Sequence, residues 1–343
     1  MKQTALVICP GRGTYNKDEL GYLQRHHREQ GSIIQEIDEY RRHEGQVTIS
    51  ELDAAQKYSL GIHGRGDHAS PLIYACAYSD FLAIDRNRFD IVAVTGNSMG
   101  WYIALACAGA LTPADGMRVI NTMGRLMHES LLGGQLVYPL LDDDWQPIKN
   151  RKEDLAQLIR EINARDHAQL YVSIALGGLL VFGGNEVALK LLEEQLTPHQ
   201  RFPMRLHNHG AFHTPLQQPV AQRARTQFTR EMFRAPKIPL VDGRGQIWTP
   251  WSSDPGALWD YTFDTQICQA YNFTKAVQIA VKTFAPDCLI LTGPGNTLGG
   301  AIAQSLVEIS WQDLDSKLAF STRQKASPYL LSMGLAEQRS SVI

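Results

Sequence analysis

Apolar and polar positions divide the 343-residue chain into short buried strands, buried helices and polar connectors. Residues 5–9 (Ala-Leu-Val-Ile-Cys) and 288–291 (Cys-Leu-Ile-Leu) are unbroken apolar runs, as expected of strands covered on both faces. Residues 89–95 form a similar β-branched run, and 239–242 a shorter one. An Ala/Leu-rich stretch without proline over 101–111 predicts a buried helix. A second helix is expected over 72–84, opened by Ser70 and Pro71, and a third after Thr112-Pro113-Ala114-Asp115, ending near His128. Residues 35–42 read as a solvated helix and 61–67, with three glycines, as a surface loop. Between 135 and 205 the pattern changes. Strands at 136–140, 170–175, 179–182 and 202–206 are interleaved with helices at 153–163 and 186–195. That order, β-α-β-β-α-β, predicts a small inserted unit of the ferredoxin-like kind. Helices over 220–233 and 264–284 follow, with a loop at 248–255 between them. Beyond Trp311 the chain turns polar and is expected to be mobile at its end.

Composition narrows the function classes. A hydrophobic content of 44% with 20% charged residues fits a globular protein. A net charge of −2 without a basic run argues against a nucleic-acid partner. No apolar stretch is long enough to span a bilayer and the first residues lack a signal-peptide core, so no membrane partner and a cytoplasmic location are expected. The five cysteines are odd in number and lie mostly in apolar runs, which reads as buried, reduced thiols. His207, His209 and His213 fall within seven residues, but no further ligand stands at a helical spacing, so no metal is expected.

The chemistry centres on Gly96-Asn97-Ser98-Met99-Gly100, between a predicted strand and a predicted helix. Gly-x-Ser-x-Gly in that context is the pattern of a nucleophile elbow. A sharp strand-to-helix turn holds Ser98 Oγ up at a helix start, where the N–H of Met99 is the natural first oxyanion donor. The glycine-rich turn Pro10-Gly11-Arg12-Gly13-Thr14-Tyr15 lacks the third glycine of a dinucleotide fingerprint, since position 16 is Asn16. It is better placed to supply the second oxyanion donor. A further strand-to-helix turn is expected at Thr292-Gly293-Pro294-Gly295-Asn296-Thr297-Leu298.

These pieces resemble the malonyl-CoA:acyl carrier protein transacylase family, which includes the acyltransferase domains of polyketide synthases. The shared order is strand–Pro-Gly-x-Gly, Gly-x-Ser-x-Gly, a ferredoxin-like insert, Gly210-Ala211-Phe212-His213-Thr214-Pro215-Leu216, then Gly293-Pro294-Gly295-Asn296-Thr297-Leu298, over residues 4 to about 308. The resemblance implies an α/β fold: an α/β-hydrolase-like core with a parallel sheet (1–131 and 206–310) plus a ferredoxin-like subdomain (132–205). A polar C-terminal extension (311–343) would follow. It also implies transfer of an acyl group from acyl-CoA to an acyl carrier protein thiol, in fatty acid or polyketide synthesis, through an acyl-serine at Ser98. His213 would be the base, with His207 and His209 as alternatives, its imidazole oriented by main-chain carbonyls in place of an aspartate. Met99 and Arg12 would give the oxyanion N–H groups, Arg12 standing where the family usually has glutamine. Phe212 would wall the acyl pocket. Asn272, in Asn272-Phe273-Thr274-Lys275, would replace a glutamine near the histidine. The partners implied are acyl-CoA and an acyl carrier protein, with no cofactor, and a monomer is the expected state.

Several departures point to a rebuilt pocket. Malonyl-selective members carry an arginine on the helix after the elbow, which grips the malonyl carboxylate. At that place, twenty-five residues beyond Ser98, stands Met123. Arg118 and Arg125 are near in sequence, but Arg125 should face elsewhere on the helix. A neutral acyl group beside Met123 is therefore expected rather than malonyl. Arg12 is a new cation that could reach in from the other side. Asn97 replaces the family's histidine before the nucleophile, Trp101 its glutamate, and Ser173-Ile174-Ala175-Leu176-Gly177-Gly178 lacks its paired asparagines. The alternative activity on the same residues is hydrolysis of acyl groups from a carrier protein; a scaffold without catalysis is disfavoured by the retained Ser98 and His213.

Overall fold

The computed structural model describes residues 2–343. Its strands are β1 (Gln3–Cys9), β2 (Phe89–Gly96), β3 (Gly134–Pro139), β4 (Leu170–Leu176), β5 (Leu179–Gly184), β6 (Met204–Arg205), β7 (Leu240–Val241), β8 (Ile247–Trp248), β9 (Tyr271–Asn272), β10 (Cys288–Leu291) and β11 (Leu330–Ser332). Six of them form the main sheet in the order β11-β10-β1-β2-β7-β8. Every pairing in it is parallel except β7 with the edge strand β8. Residues Ala5–Cys9 of β1, at its centre, are wholly buried, as a strand covered on both faces must be.

The other five form a second sheet in the order β6-β3-β5-β4-β9. Helices Arg151–Asn163 and Glu186–Gln195 connect β3 to β4 and β5 to β6. β6, β3, β5 and β4 pair antiparallel, which is the ferredoxin-like arrangement. β9 comes from much later in the chain and adds parallel to β4, tying the insert to the core.

Two helices, Gly66–Ala83 and Pro113–Glu129, frame one side of Ser98. They cross at a glycine pair. A Cβ on Gly124 would lie 2.5 Å from the Gly66 carbonyl oxygen, and one on Gly66 would lie 2.8 Å from that of Gly124. The first of these helices starts earlier than expected, because 61–67 is not a surface loop. A short helix Leu60–His63 packs its histidine inside, and the long helix begins at Gly66 with Pro71 in its interior. Pro71 cannot donate to the Asp67 carbonyl, and Arg41 Nη1 does so instead at 3.0 Å. That side-chain donor lets the helix run through the proline.

Other expectations are corrected. Residues 264–284 are not one helix. A wide turn at Tyr261–Thr265 and a short helix Gln266–Cys268 are followed by β9 and then by the helix Phe273–Phe284. Pairing with β4 extends the chain at Tyr271, where helical spacing alone would have continued the helix. The helix expected over 220–233 ends at Gln227, and 248–255 is entered through β8. The segment 311–343 is not a polar, mobile extension. It supplies β11, parallel to β10, and Arg339, whose Nη1 donates to Asp80 Oδ1 at 2.6 Å in the interior. Asp80 also accepts from Tyr22 Oη and from the Gly293 N–H. The arginine in this polar stretch is there to neutralise a buried carboxylate, and Val342 beyond it is fully buried. No helix among the described residues is long and apolar enough to cross a membrane.

Candidate active site

The turn between β2 and the helix Gly100–Cys107 carries Ser98 at φ 54°, in the left-handed region that a non-glycine residue enters at a cost. The turn is closed by contact. A Cβ on Gly96 would sit 2.3 Å from the Gly100 carbonyl, and one on Gly100 would sit 2.4 Å from the Cys9 carbonyl oxygen. Tyr271 Oη donates to the Gly96 carbonyl at 2.5 Å, so β9 props the elbow from behind.

His213 comes from the loop after β6 and also has a positive φ, 56°. Its Nδ1 is 2.6 Å from the Gln266 carbonyl oxygen, which can only accept, so Nδ1 carries the proton. Nε2 is then an acceptor, and Ser98 Oγ donates to it at 2.7 Å. Burial lowers the imidazole to about 4, against a smaller raising effect of the Gln266 carbonyl. At neutral pH the ring is therefore uncharged and able to take a proton. The side chain of Gln266 reaches back as well, its Nε2 donating to the Ser98 carbonyl at 3.1 Å and its Oε1 accepting from Tyr102 Oη at 2.9 Å. Sequence reasoning gave Gln266 no role. Its main-chain function leaves no side-chain signature, and it depends on the break after Cys268.

The remaining expected residues separate into two groups. The loop of Gly11 packs on the elbow, where a Cβ on Gly11 would meet the Asn97 carbonyl oxygen at 2.8 Å. That contact brings Arg12 beside Ser98. The main-chain N–H groups of Arg12 and Met99 have no protein acceptor among the described residues. Met123 and Phe212 line one cavity with Ser98, Arg12 and His213, joined by Ser70, Met127 and Gln266, which had not been singled out as pocket residues. Asn97 lies outside that cavity and lines the cleft on the other side of Ser98. Asn272 lies in neither. Its side chain caps the helix Phe273–Phe284 by accepting from the Lys275 N–H at 2.8 Å, as a residue between a strand and a helix commonly does.

The histidine that meets Ser98 is His213, not His207 or His209. His209 Nδ1 is held by Gln135 Oε1 at 2.7 Å. Gln135 donates to Ser173 Oγ at 2.6 Å, and Ser173 donates to the Phe212 carbonyl at 2.7 Å. This chain of bonds fixes the loop that carries His213 to the second sheet. Arg118 is exposed, and Arg125 pairs with Glu129 at 3.0 Å on the outer face of its helix.

Two spaces meet at Ser98. The first is small, with about 40 Å³ free, between the two crossing helices and Phe212. The second is a cleft of about 270 Å³ between the elbow and the second sheet, lined by Val137, Ile174, Leu179 and Val181, with Arg201 also on its wall.

The nearly complete superposition of this architecture on known enzymes decides the fold. The malonyl-CoA:acyl carrier protein transacylase of Xanthomonas oryzae matches with a TM-score of 0.74 at 18% identity, over 99% of this chain and 98% of that one. The fold is that of the malonyl-CoA:acyl carrier protein transacylases. In sequence, the chain is 25% identical over 242 residues to the malonyl CoA-acyl carrier protein transacylase of Salmonella typhimurium, covering 66% of this chain and 70% of that protein. It is also 25% identical over 308 residues to a phenolphthiocerol synthesis type I polyketide synthase of Mycobacterium marinum. That alignment covers 88% of this chain but 13% of the synthase, so the chain spans a small part of that much longer relative. No family model matches the chain.

Proposed function

We propose that this protein transfers an acyl group from a coenzyme A thioester to the thiol of an acyl carrier protein, through an acyl-serine at Ser98. The single observation that carries the reading is the hydrogen-bonded line Ser98 Oγ–His213 Nε2, His213 Nδ1–Gln266 carbonyl, placed where a small cavity meets a wide cleft. Likeness to proteins named as acyl carrier protein transacylases supports the choice of donor and acceptor.

In the first half-reaction Ser98 Oγ attacks the thioester carbonyl carbon as its proton moves to His213 Nε2. The N–H groups of Met99 and Arg12 face the resulting oxyanion. Collapse breaks the carbon–sulfur bond, and the imidazolium returns its proton to the departing thiolate. The carrier thiol reverses the same steps, giving its proton to His213 and regenerating Ser98. The reaction needs no cofactor, since the thioester brings the activated acyl group. The five buried thiols, all unpaired, suit a cytoplasmic, reducing compartment.

Brief incubation with a panel of acyl-CoAs, read by intact-protein mass, tests this. A single acyl adduct that disappears in Ser98→Ala is expected. A chain that takes no acyl group from any donor, and that a serine-directed fluorophosphonate fails to label, would contradict it.

A further inference from the structure

The small cavity beside Ser98 is apolar along most of its wall, through Met99, Ile120, Met123, Met127 and Phe212. One charged side chain, Arg12, also lines it. Its guanidinium is fastened on one edge only. Nη2 donates to the main-chain oxygens of Gly64 at 3.0 Å and Asn208 at 3.1 Å. Nη1 is buried and has no acceptor among the described residues. Among the described residues no carboxylate pairs with the group within 4 Å; Asp67, which acts on it from further off, is engaged by Arg65 at 2.8 Å. Its Cζ lies 5.6 Å from the centre of the Phe212 ring, which lines the same cavity. Nη1 lies at the crossing of the two helices, 3.5 Å from where a Cβ on Gly66 would be. The same crossing gives Ser70 and Gly124 to the cavity wall.

A buried guanidinium edge with unused donors is costly unless an acceptor fills it, and a carboxylate matches its geometry best. We propose that Arg12 is the specificity-determining residue of the acyl pocket and that its side chain receives the distal carboxylate of a short acyl group. The role rests on the acyl-Ser98 reading above. It assigns two tasks to one residue: the main-chain N–H of Arg12 serves the oxyanion, and its side chain serves the far end of the same acyl group. The selected length is then set within a single residue. The apolar wall at Met123 no longer argues for a neutral substrate, because the cation enters from the glycine-rich turn instead of the helix.

The test is competition between malonyl-CoA and butyryl-CoA for Ser98, read as the ratio of the two adducts by intact mass. The two acyl groups are alike in size and differ in charge. A ratio taken within one protein cancels any loss of folded material, so a poorly folding variant still reports. The native chain should favour malonyl. Arg12→Gln should lower the malonyl-to-butyryl ratio by about 100-fold, the usual consequence of removing one partner of a buried charge pair. Arg12→Lys should fall between, since an ammonium keeps the charge and loses the forked contact. Arg12→Gln combined with Met123→Arg should recover malonyl preference, because a cation returns to the wall of the same cavity. A native preference for butyryl, or an unchanged ratio in Arg12→Gln, overturns the assignment while leaving acyl-Ser98 intact. No adduct from any donor overturns the acyl-Ser98 reading and this assignment with it.

Discussion

The two sides of Ser98 are built from different material. On the side of His213 the parts are largely main chain: the strained turn at Ser98, the Gln266 carbonyl on His213, and the N–H groups of Met99 and Arg12. On the side of the small cavity they are side chains: Arg12, Met123, Met127 and Phe212. Main-chain parts survive side-chain replacement as long as the turn keeps its shape. Side-chain parts can be exchanged one at a time. The resemblance read from the sequence accordingly holds in the elbow pattern and the histidine frame and departs at Arg12 and Met123.

This contrast can be broken at several points. The largest effect is expected at the two groups whose side chains carry the proposed proton transfer. His213→Ala should lower acyl transfer by about 10,000-fold, as removal of a base hydrogen-bonded to its nucleophile does elsewhere, with Ser98→Ala at least as severe. Steady-state kinetics with acyl-CoA and a carrier protein would show it. The next effect is in the pH profile. Burial holds His213 near 4, and only the neutral ring accepts the serine proton. Activity should therefore stay level from pH 7 down to about 5. It should then fall about tenfold per pH unit below about 4, whereas an ordinary histidine would begin to lose activity near 6.5.

Smaller effects separate main chain from side chain at one residue. Gln266→Ala keeps the carbonyl that orients His213 and loses the bonds to the Ser98 carbonyl and Tyr102. A loss of roughly tenfold in kcat/KM is expected, with about 1–2 kcal/mol of stability. The smallest effect on chemistry is expected at Asn272. Asn272→Ala should cost about 1 kcal/mol in thermal unfolding, from the lost helix cap, and leave acyl transfer within about twofold.

The same contrast governs what was legible in the amino-acid pattern. The elbow was readable because its strand, its glycines and its helix are neighbours in sequence, and the alternating run over 135–205 announced the inserted sheet for the same reason. Ser98 and His213 stand out in local sequence frames, and the fold brings them to 2.7 Å. Three things were not readable, each for a long-range reason. The break between Cys268 and Phe273 is imposed by the pairing of Tyr271 and Asn272 with β4, and without it Gln266 would not face His213. The C-terminal residues look solvent-bound by composition, but Arg339 answers Asp80, 259 positions earlier. The direction of the Arg12 side chain depends on Gly64 and Asn208, which only the folded chain brings to it.

The most direct measurement is a single-turnover chase. Protein loaded with one acyl group is freed of acyl-CoA and mixed with a holo acyl carrier protein, and the masses of both are followed. The account predicts that the acyl mass leaves Ser98 and appears on the carrier thiol in equal amount, while protein without an acceptor stays loaded. Release of free acid at the same rate with or without the carrier would contradict it and mark a hydrolase instead.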